Sequence, residues 1–535
     1  MHRSKLILFC LCLSWSTQAQ SNRYFVFFKD KVGTPFSISD PTQFLSTRSI
    51  ERRQKQNISI IEEDLPVNPG YVSQVKTTGA KTFFTSRWWN GVLVEGDPAT
   101  LAIVNALPFV KESRLVAPGT KLMGGRASKI KLRKNSMADQ PVNQFQLEQL
   151  GIDVMQEEGY KGEGIFIAVF DSGFEGVNVS APFADLFSEN RINQTKNFVT
   201  NESNVYISDD HGTEVLSVMA AHTSDSYLGG AYKANYFLYL TEDVSSEYRI
   251  EEYNWTFAAE QADSAGIDVI NSSLGYTEFD DPSMDYQTTD LNGNTAIVTQ
   301  AARKAIDRGM LVVVSAGNEG SSSWKFITPP SDAEGVLAVG SVTSSGTLSG
   351  FSSKGPTSDN RVKPDVVALG SGVSVIKASG STGTTSGTSV ASPLVTSLAA
   401  GVLQAYPYLT VTEIYDAIIT TGSQAKTPDN SFGYGIPNFK AIRNYIDSLQ
   451  DAPLISVYPN PVTGLSFSIA LKELDDAPVV ITIYDSRGSK VAESSIQINW
   501  LNNPLEYDIS LFASGLYYVK VQSGNNVSTI KIAKL

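Results

Sequence analysis

Ile165-Phe166-Ile167-Ala168-Val169-Phe170 is an unbroken apolar run that stops at Asp171-Ser172-Gly173. Without polar alternation, such a run marks a strand covered on both faces, and a small turn-forming pair ends it. Val269–Leu274, Met310–Ala316 and Val336–Val342 repeat the pattern. Between them lie helical stretches at Thr213–His222, Glu251–Ser264 and Thr295–Arg308, followed by Val390–Gln404 and Thr412–Thr420. Alternating strands and helices predict an α/β domain over 141–447, a parallel sheet flanked by helices. Ligands of such sheets bind at the carboxyl ends of the strands. Asp171 and Asn318 both stand just past such an end.

Outward from this block the pattern changes on each side. Residues 20–125 alternate short strands (Tyr24–Phe28, Trp88–Glu95, Phe109–Val116) with helical stretches near Pro66–Thr78 and Ala99–Ala106, a small α+β unit. Pro118 to Gln140 is rich in glycine and basic residues (Gly124, Gly125, Arg126, Lys129, Lys131, Arg133, Lys134) and reads as an exposed, cleavable linker, its core at 126–140. After 452 come seven short strands separated by turns such as Pro459-Asn460-Pro461 and Arg487-Gly488, which predicts a β-sandwich over 452–535. Residues 1–19 carry His2, Arg3 and Lys5, an apolar Leu6–Leu13 and a small-residue Thr17-Gln18-Ala19, the layout of an export signal. Leu6–Leu13 is far shorter than a membrane-spanning helix needs, and no transmembrane segment is expected elsewhere.

Both cysteines, Cys10 and Cys12, fall inside that signal, so disulfides, thiolate metal sites and thiol catalysis are not expected of the mature chain. Residues 20–140 hold 18 Lys+Arg against 10 Asp+Glu, a net of +8, whereas 141–450 hold 16 against 37, a net of −21. An acidic body argues against nucleic acid as a partner. A basic segment joined to it suggests that the two dock.

Three histidines occur in 535 residues, and His211 sits in Asp210-His211-Gly212-Thr213. Ser389 sits in Gly387-Thr388-Ser389-Val390-Ala391-Ser392-Pro393, ahead of an alanine-rich helical stretch that Pro393 would open in its first turn. A serine hydroxyl is a weak nucleophile until a base such as histidine takes its proton, and a buried aspartate fixes that imidazole. His222, at the end of the helix that follows His211, stands three turns away and cannot share its site. Asn318, in Ser315-Ala316-Gly317-Asn318-Glu319-Gly320, can offer an amide donor to an oxyanion.

These segments, with Ile270-Asn271-Ser272-Ser273-Leu274-Gly275, Phe351-Ser352-Ser353-Lys354-Gly355-Pro356 and Lys363-Pro364-Asp365-Val366, resemble the subtilisin-family serine endopeptidases, the subtilases, over about 150–440. The resemblance implies Asp171 as orienting acid, His211 as general base, Ser389 as nucleophile and Asn318 with the Ser389 N–H as oxyanion hole. It implies that Ser272, Leu274 and Gly275 belong to the strand that pairs with substrate backbone on one side of the primary specificity pocket, and Ser315, Ala316 and Gly317 to the other side. Ala368-Leu369-Gly370 departs from the family's usual Ala-Pro-Gly, away from the chemistry. Residues 24–117 are similar to the subtilase propeptide, which implies an intramolecular inhibitor and a precursor. Tyr458-Pro459-Asn460-Pro461 and Leu516–Val521 resemble the sorting domain of type IX secretion substrates, which implies that machinery as a partner and a secreted or surface location.

No cofactor is expected for the chemistry. A structural calcium is a candidate at Asp290-Leu291-Asn292-Gly293-Asn294, although the spacing lacks a full calcium loop. A catalytically dead surface protein and an acid-active serine-carboxyl peptidase stay as rival readings. An esterase of the α/β-hydrolase order is not one, because no histidine follows Ser389.

Overall fold

The computed structural model describes residues 21–119, 143–223, 226–449, 454–472, 478–498, 503–524 and 526–535. The export signal of residues 1–19 and the linker core at 126–140 lie outside them.

The central sheet has seven strands in the order Val366–Leu369, Leu337–Val342, Leu311–Ser315, Val269–Ser272, Phe166–Asp171, Asn235–Leu240, Ile192–Asn197. Every neighbouring pair runs parallel. Because side chains alternate across a strand, Ile167, Val169, Leu311 and Val313 face one helical layer while Ala168, Phe170, Val312 and Val314 face the other. The first layer contains His211–Ala220 and Thr388–Ala405, and the second Ile250–Ala265 and Ile297–Asp307. Phe166–Asp171 comes first in the chain yet sits inside the sheet, so the strand order reverses beside it. That reversal opens a crevice at its carboxyl end, where Asp171 lies. The strands Ile192–Asn197, Asn235–Leu240 and Val366–Leu369 are additional to those read from the sequence.

Thr388–Ala405 is long and apolar enough to cross a membrane, but every residue of it is buried in this fold. It is the core helix against which the sheet packs.

The N-terminal unit is a four-stranded antiparallel sheet in the order Lys81–Ser86, Gly91–Gly96, Asn22–Phe28, Val110–Ala117. One face, with Val26, Phe28, Val92 and Val94, is covered by the helices Pro69–Thr77 and Pro98–Asn105. The opposite face, with Phe25, Phe27 and Leu93, packs on Tyr253 and Phe257 of the central domain. Phe25 stacks on Tyr253 at 4.6 Å between centroids. Burying each such side chain contributes about 1.5–3 kcal/mol. The helix Thr47–Lys55, capped by the Ser46 side chain, went unread in the sequence and carries Arg52 and Arg53 into the same junction.

The C-terminal unit pairs a three-stranded sheet (Ile455–Tyr458, Ser466–Leu471, Leu505–Asp508) with a four-stranded one (Lys490–Ile496, Val479–Asp485, Gly515–Ser523, Asn526–Lys534). Phe467 and Ile469 of the first meet Ile481, Ile483, Val519 and Val521 of the second, which closes the expected β-sandwich.

Candidate active site

Asp171 ends the central strand and is fully buried. Its Oδ1 accepts from the Ser172 N–H at 2.8 Å and from His211 Nδ1 at 2.7 Å. An ionised carboxylate only accepts, so the contact fixes the proton on Nδ1 and leaves Nε2 as the basic atom. His211 is the first residue of the helix His211–Ala220 rather than a residue ahead of it. A Cβ on Gly212 would lie 2.4 Å from the Gly173 carbonyl and 2.9 Å from Asp171 Cβ, so glycine is what lets this helix approach the strand. Burial alone would lower the His211 pKa, but the Asp171 carboxylate, with Asp209 and Glu214, raises it to about 9.

Ser389 lies in the first turn of Thr388–Ala405, where backbone N–H groups are unpaired and the helix dipole is positive. Ser389 Oγ and His211 Nε2 are both buried, and neither makes a hydrogen bond among the described residues. Asn318 Oδ1 accepts from Thr388 N at 2.8 Å and Thr388 Oγ1 at 3.0 Å, which fixes the orientation of its amide and leaves Nδ2 as the donor. A Cβ placed on Gly387 would stand 2.8 Å from Ser389 Oγ and 3.5 Å from Asn318 Nδ2, so hydroxyl and amide share one side of Gly387.

Pro393 falls in the second turn of the helix, not the first. Its missing N–H would have bonded to the carbonyl four residues back, that of Ser389. Ser273 Oγ donates to this carbonyl at 2.8 Å instead. The residue that follows the strand Val269–Ser272 thus supplies the bond that the proline withholds.

Leu274, Gly275, Ser315, Gly317 and Asn318 line one cleft. Ser272 does not: it is fully buried, and its Oγ accepts from Trp255 Nε1 at 3.0 Å. Ser273, the residue just past the strand, lines the cleft. Ala316 is also fully buried, packed with Leu291 and Ile327. His222 stands apart: the helix stops at Ala220, and His222 Nδ1 meets Asp185 Oδ2 at 2.7 Å. In the candidate calcium loop, Asp290 Oδ2 accepts from Gln287 N at 2.8 Å, and Asn292 Oδ1 accepts from the backbone of Asn294 and Thr295. Those oxygens are engaged in closing their own turns. Sequence reasoning missed Thr388 and Ser273 as supports, because each acts across the fold on a distant segment.

The subtilase family profile matches residues 162–435. A Bacteroidota peptidase S8 propeptide domain matches 23–151, and a secretion system C-terminal sorting domain matches 456–534. Subtilisin E of Bacillus subtilis (strain 168) is 31% identical over 295 residues, which cover 54% of this chain and 68% of that protein. Subtilisin DY of Bacillus licheniformis is 33% identical over 287 residues, covering 53% and 91% respectively. The crystal structure of the epidermin leader peptide processing serine protease (EpiP) of Staphylococcus aureus shares the fold, with a TM-score of 0.56 at 16% identity, over 79% of this chain and 99% of that one. The sorting domain indicates secretion or attachment at the cell surface. The chain belongs to the subtilase family: it is a serine peptidase with a propeptide domain ahead of its catalytic domain and a type IX secretion sorting domain behind it.

Proposed function

We propose that the protein is a secreted endopeptidase that cleaves peptide bonds through an acyl-enzyme on Ser389. The Asp171–His211 hydrogen bond of 2.7 Å, with Ser389 in the first turn of a helix that packs on the one His211 begins, carries this reading. His211 Nε2 takes the Ser389 proton as Oγ attacks the carbonyl carbon, and later gives it to the leaving amine. Nucleophile–base contacts of this kind are often loose before substrate binds and tighten in the complex. Asn318 Nδ2 and the Ser389 N–H donate to the oxyanion. Losing one such donor costs roughly 3–4 kcal/mol of transition-state stabilisation, a figure that itself comes from subtilisin. Leu274, Gly275, Ser315 and Gly317 border the substrate next to the scissile bond.

The enzyme is made as a precursor in which the unit of residues 20–125 inhibits the domain of 141–447, and cutting within 118–140 releases it. The apolar face on Tyr253 and Phe257 and the arginine cluster on Asp263 support this docking. The type IX secretion machinery is the partner of 452–535. A fluorophosphonate probe should label the wild-type chain and leave Ser389→Ala unlabelled. Equal labelling of both would end the assignment.

A further inference from the structure

The cleft that passes Gly275 and Asn318 continues into carboxylates that the peptidase reaction does not use. Glu242, Glu247 and Glu251 line it, on the turn between the strand Asn235–Leu240 and the helix Ile250–Ala265 and on the helix's first turn. One oxygen from each lies within 4.8 Å of the others. Glu251 is only 1% exposed. Its Oε1 accepts from Asp243 N at 2.7 Å, but its Oε2 is buried with no hydrogen-bond donor. Glu242 is held in place by Thr241 Oγ1 at 2.8 Å and the Tyr276 phenol at 2.7 Å. Among the described residues, no lysine or arginine forms an ion pair with any of the three. Arg249, the nearest in sequence, donates to the Met284 carbonyl at 2.8 and 2.6 Å.

A buried carboxylate must be paired, protonated or bound to a metal. Gathering three carboxylates in one partly buried corner costs solvation and adds mutual repulsion. A cation among the three would remove both costs at once. The donors are all hard oxygens on a turn that can adjust, which suits calcium better than zinc or the strictly octahedral magnesium.

We propose that Glu242, Glu247 and Glu251 form a binding site for a divalent cation of calcium chemistry. The ion ties the 241–250 turn to the helix that follows it. Thr241 N donates to the Asp171 carbonyl at 3.0 Å, so the turn is continuous with the strand end that holds His211. Occupancy therefore stiffens one wall of the substrate cleft next to the reacting groups.

The full chain carrying Ser389→Ala, which cannot digest itself, is stripped with EDTA and titrated with calcium in a calorimeter. Calcium should raise its Tm by roughly 5 °C. Terbium should give tyrosine-sensitised emission that calcium displaces. Adding Glu247→Gln or Glu251→Gln should abolish both responses. In EDTA these two variants should melt no lower than their parent, because one repelling carboxylate is gone. Asp290→Asn should keep the full response. A calcium shift unchanged in both glutamine variants, or absent from the parent, overturns the proposal. So does a tenfold rise in KM for arginyl peptides in active Glu247→Gln without any calcium response, which would assign the carboxylates to a basic substrate side chain.

Discussion

Arg87 Nη2 of the propeptide domain lies 2.5 Å from Asp263 Oδ2 of the catalytic domain. Arg53 Nη2 meets the same oxygen at 2.7 Å, and Arg52 Nη2 meets Oδ1 at 2.6 Å. Asp263 is fully buried, and although burial raises its pKa, Arg87, Arg53 and Arg52 together hold it below the usual carboxylate value. The +8 and −21 segments of the sequence thus meet most densely at one carboxylate with three guanidinium partners.

Removing that carboxylate deprives buried Arg52 and Arg87 of their ion-pair partner, while Arg53 keeps only Asp64. Asp263→Asn should destabilise the precursor by about 3–5 kcal/mol, as for other broken buried pairs. Chemical denaturation of the precursor measures this. Because the folded pKa is depressed, the contribution is present above the unfolded value of 3.8 and is lost as pH falls through the lower folded one. Neutral salt should weaken the docking only modestly, since buried pairs are poorly screened.

In the proposed mechanism His211 must be neutral to accept the Ser389 proton. Its pKa is raised to about 9, so kcat/KM should climb with pH along a limb whose midpoint lies above the ordinary 6.5. The Asp171–His211 attraction stabilises the fold fully below 6.5, and its contribution fades as pH rises through about 9. In Asp171→Asn, burial acts on His211 without its carboxylate. The midpoint should then drop below 6.5, and kcat should fall roughly 10⁴-fold. A pH–rate profile of both enzymes decides the matter.

Ser273→Ala removes the donor to the Ser389 carbonyl, which Pro393 cannot replace. An unsatisfied buried carbonyl costs about 1–3 kcal/mol. The variant should lose that much stability in thermal melts, with kcat falling further than KM rises. Ser273→Thr, which keeps a hydroxyl, should recover part of both.

In the proposed mechanism Asn318→Ala deletes a donor that matters only once the oxyanion forms. Steady-state kinetics should show kcat lowered about 10²–10³-fold with KM little changed. Thr388→Val, which removes the 3.0 Å hydroxyl bond to Asn318 Oδ1, should give a smaller loss in the same direction.

Much of this was legible in the primary structure because it is local. Apolar runs gave four of the seven parallel strands, and turn chemistry gave all seven strands of the sorting domain. The Asp171, His211, Ser389 and Asn318 segments each announced themselves through their neighbours. The edge strand Ile192–Asn197 did not, because its residues are mostly polar and only partly covered. Which of the adjacent Ser272 and Ser273 turns its side chain to the cleft depends on a one-residue offset that composition does not reveal, and it is Ser273. Thr47–Lys55 was overlooked because its Arg52 and Arg53 look like a solvated face until the Asp263 and Asp64 carboxylates are placed against them. The Glu242, Glu247 and Glu251 group arises from a turn folding back on a helix, and no helical or strand periodicity anticipates it.

The bond from Ser273 to Ser389 spans 116 residues of chain. The helix turn that carries the hydroxyl is therefore braced by a contact that forms only once two segments far apart in the chain have met. A chain in which they have not met holds the ingredients of a peptidase without that brace.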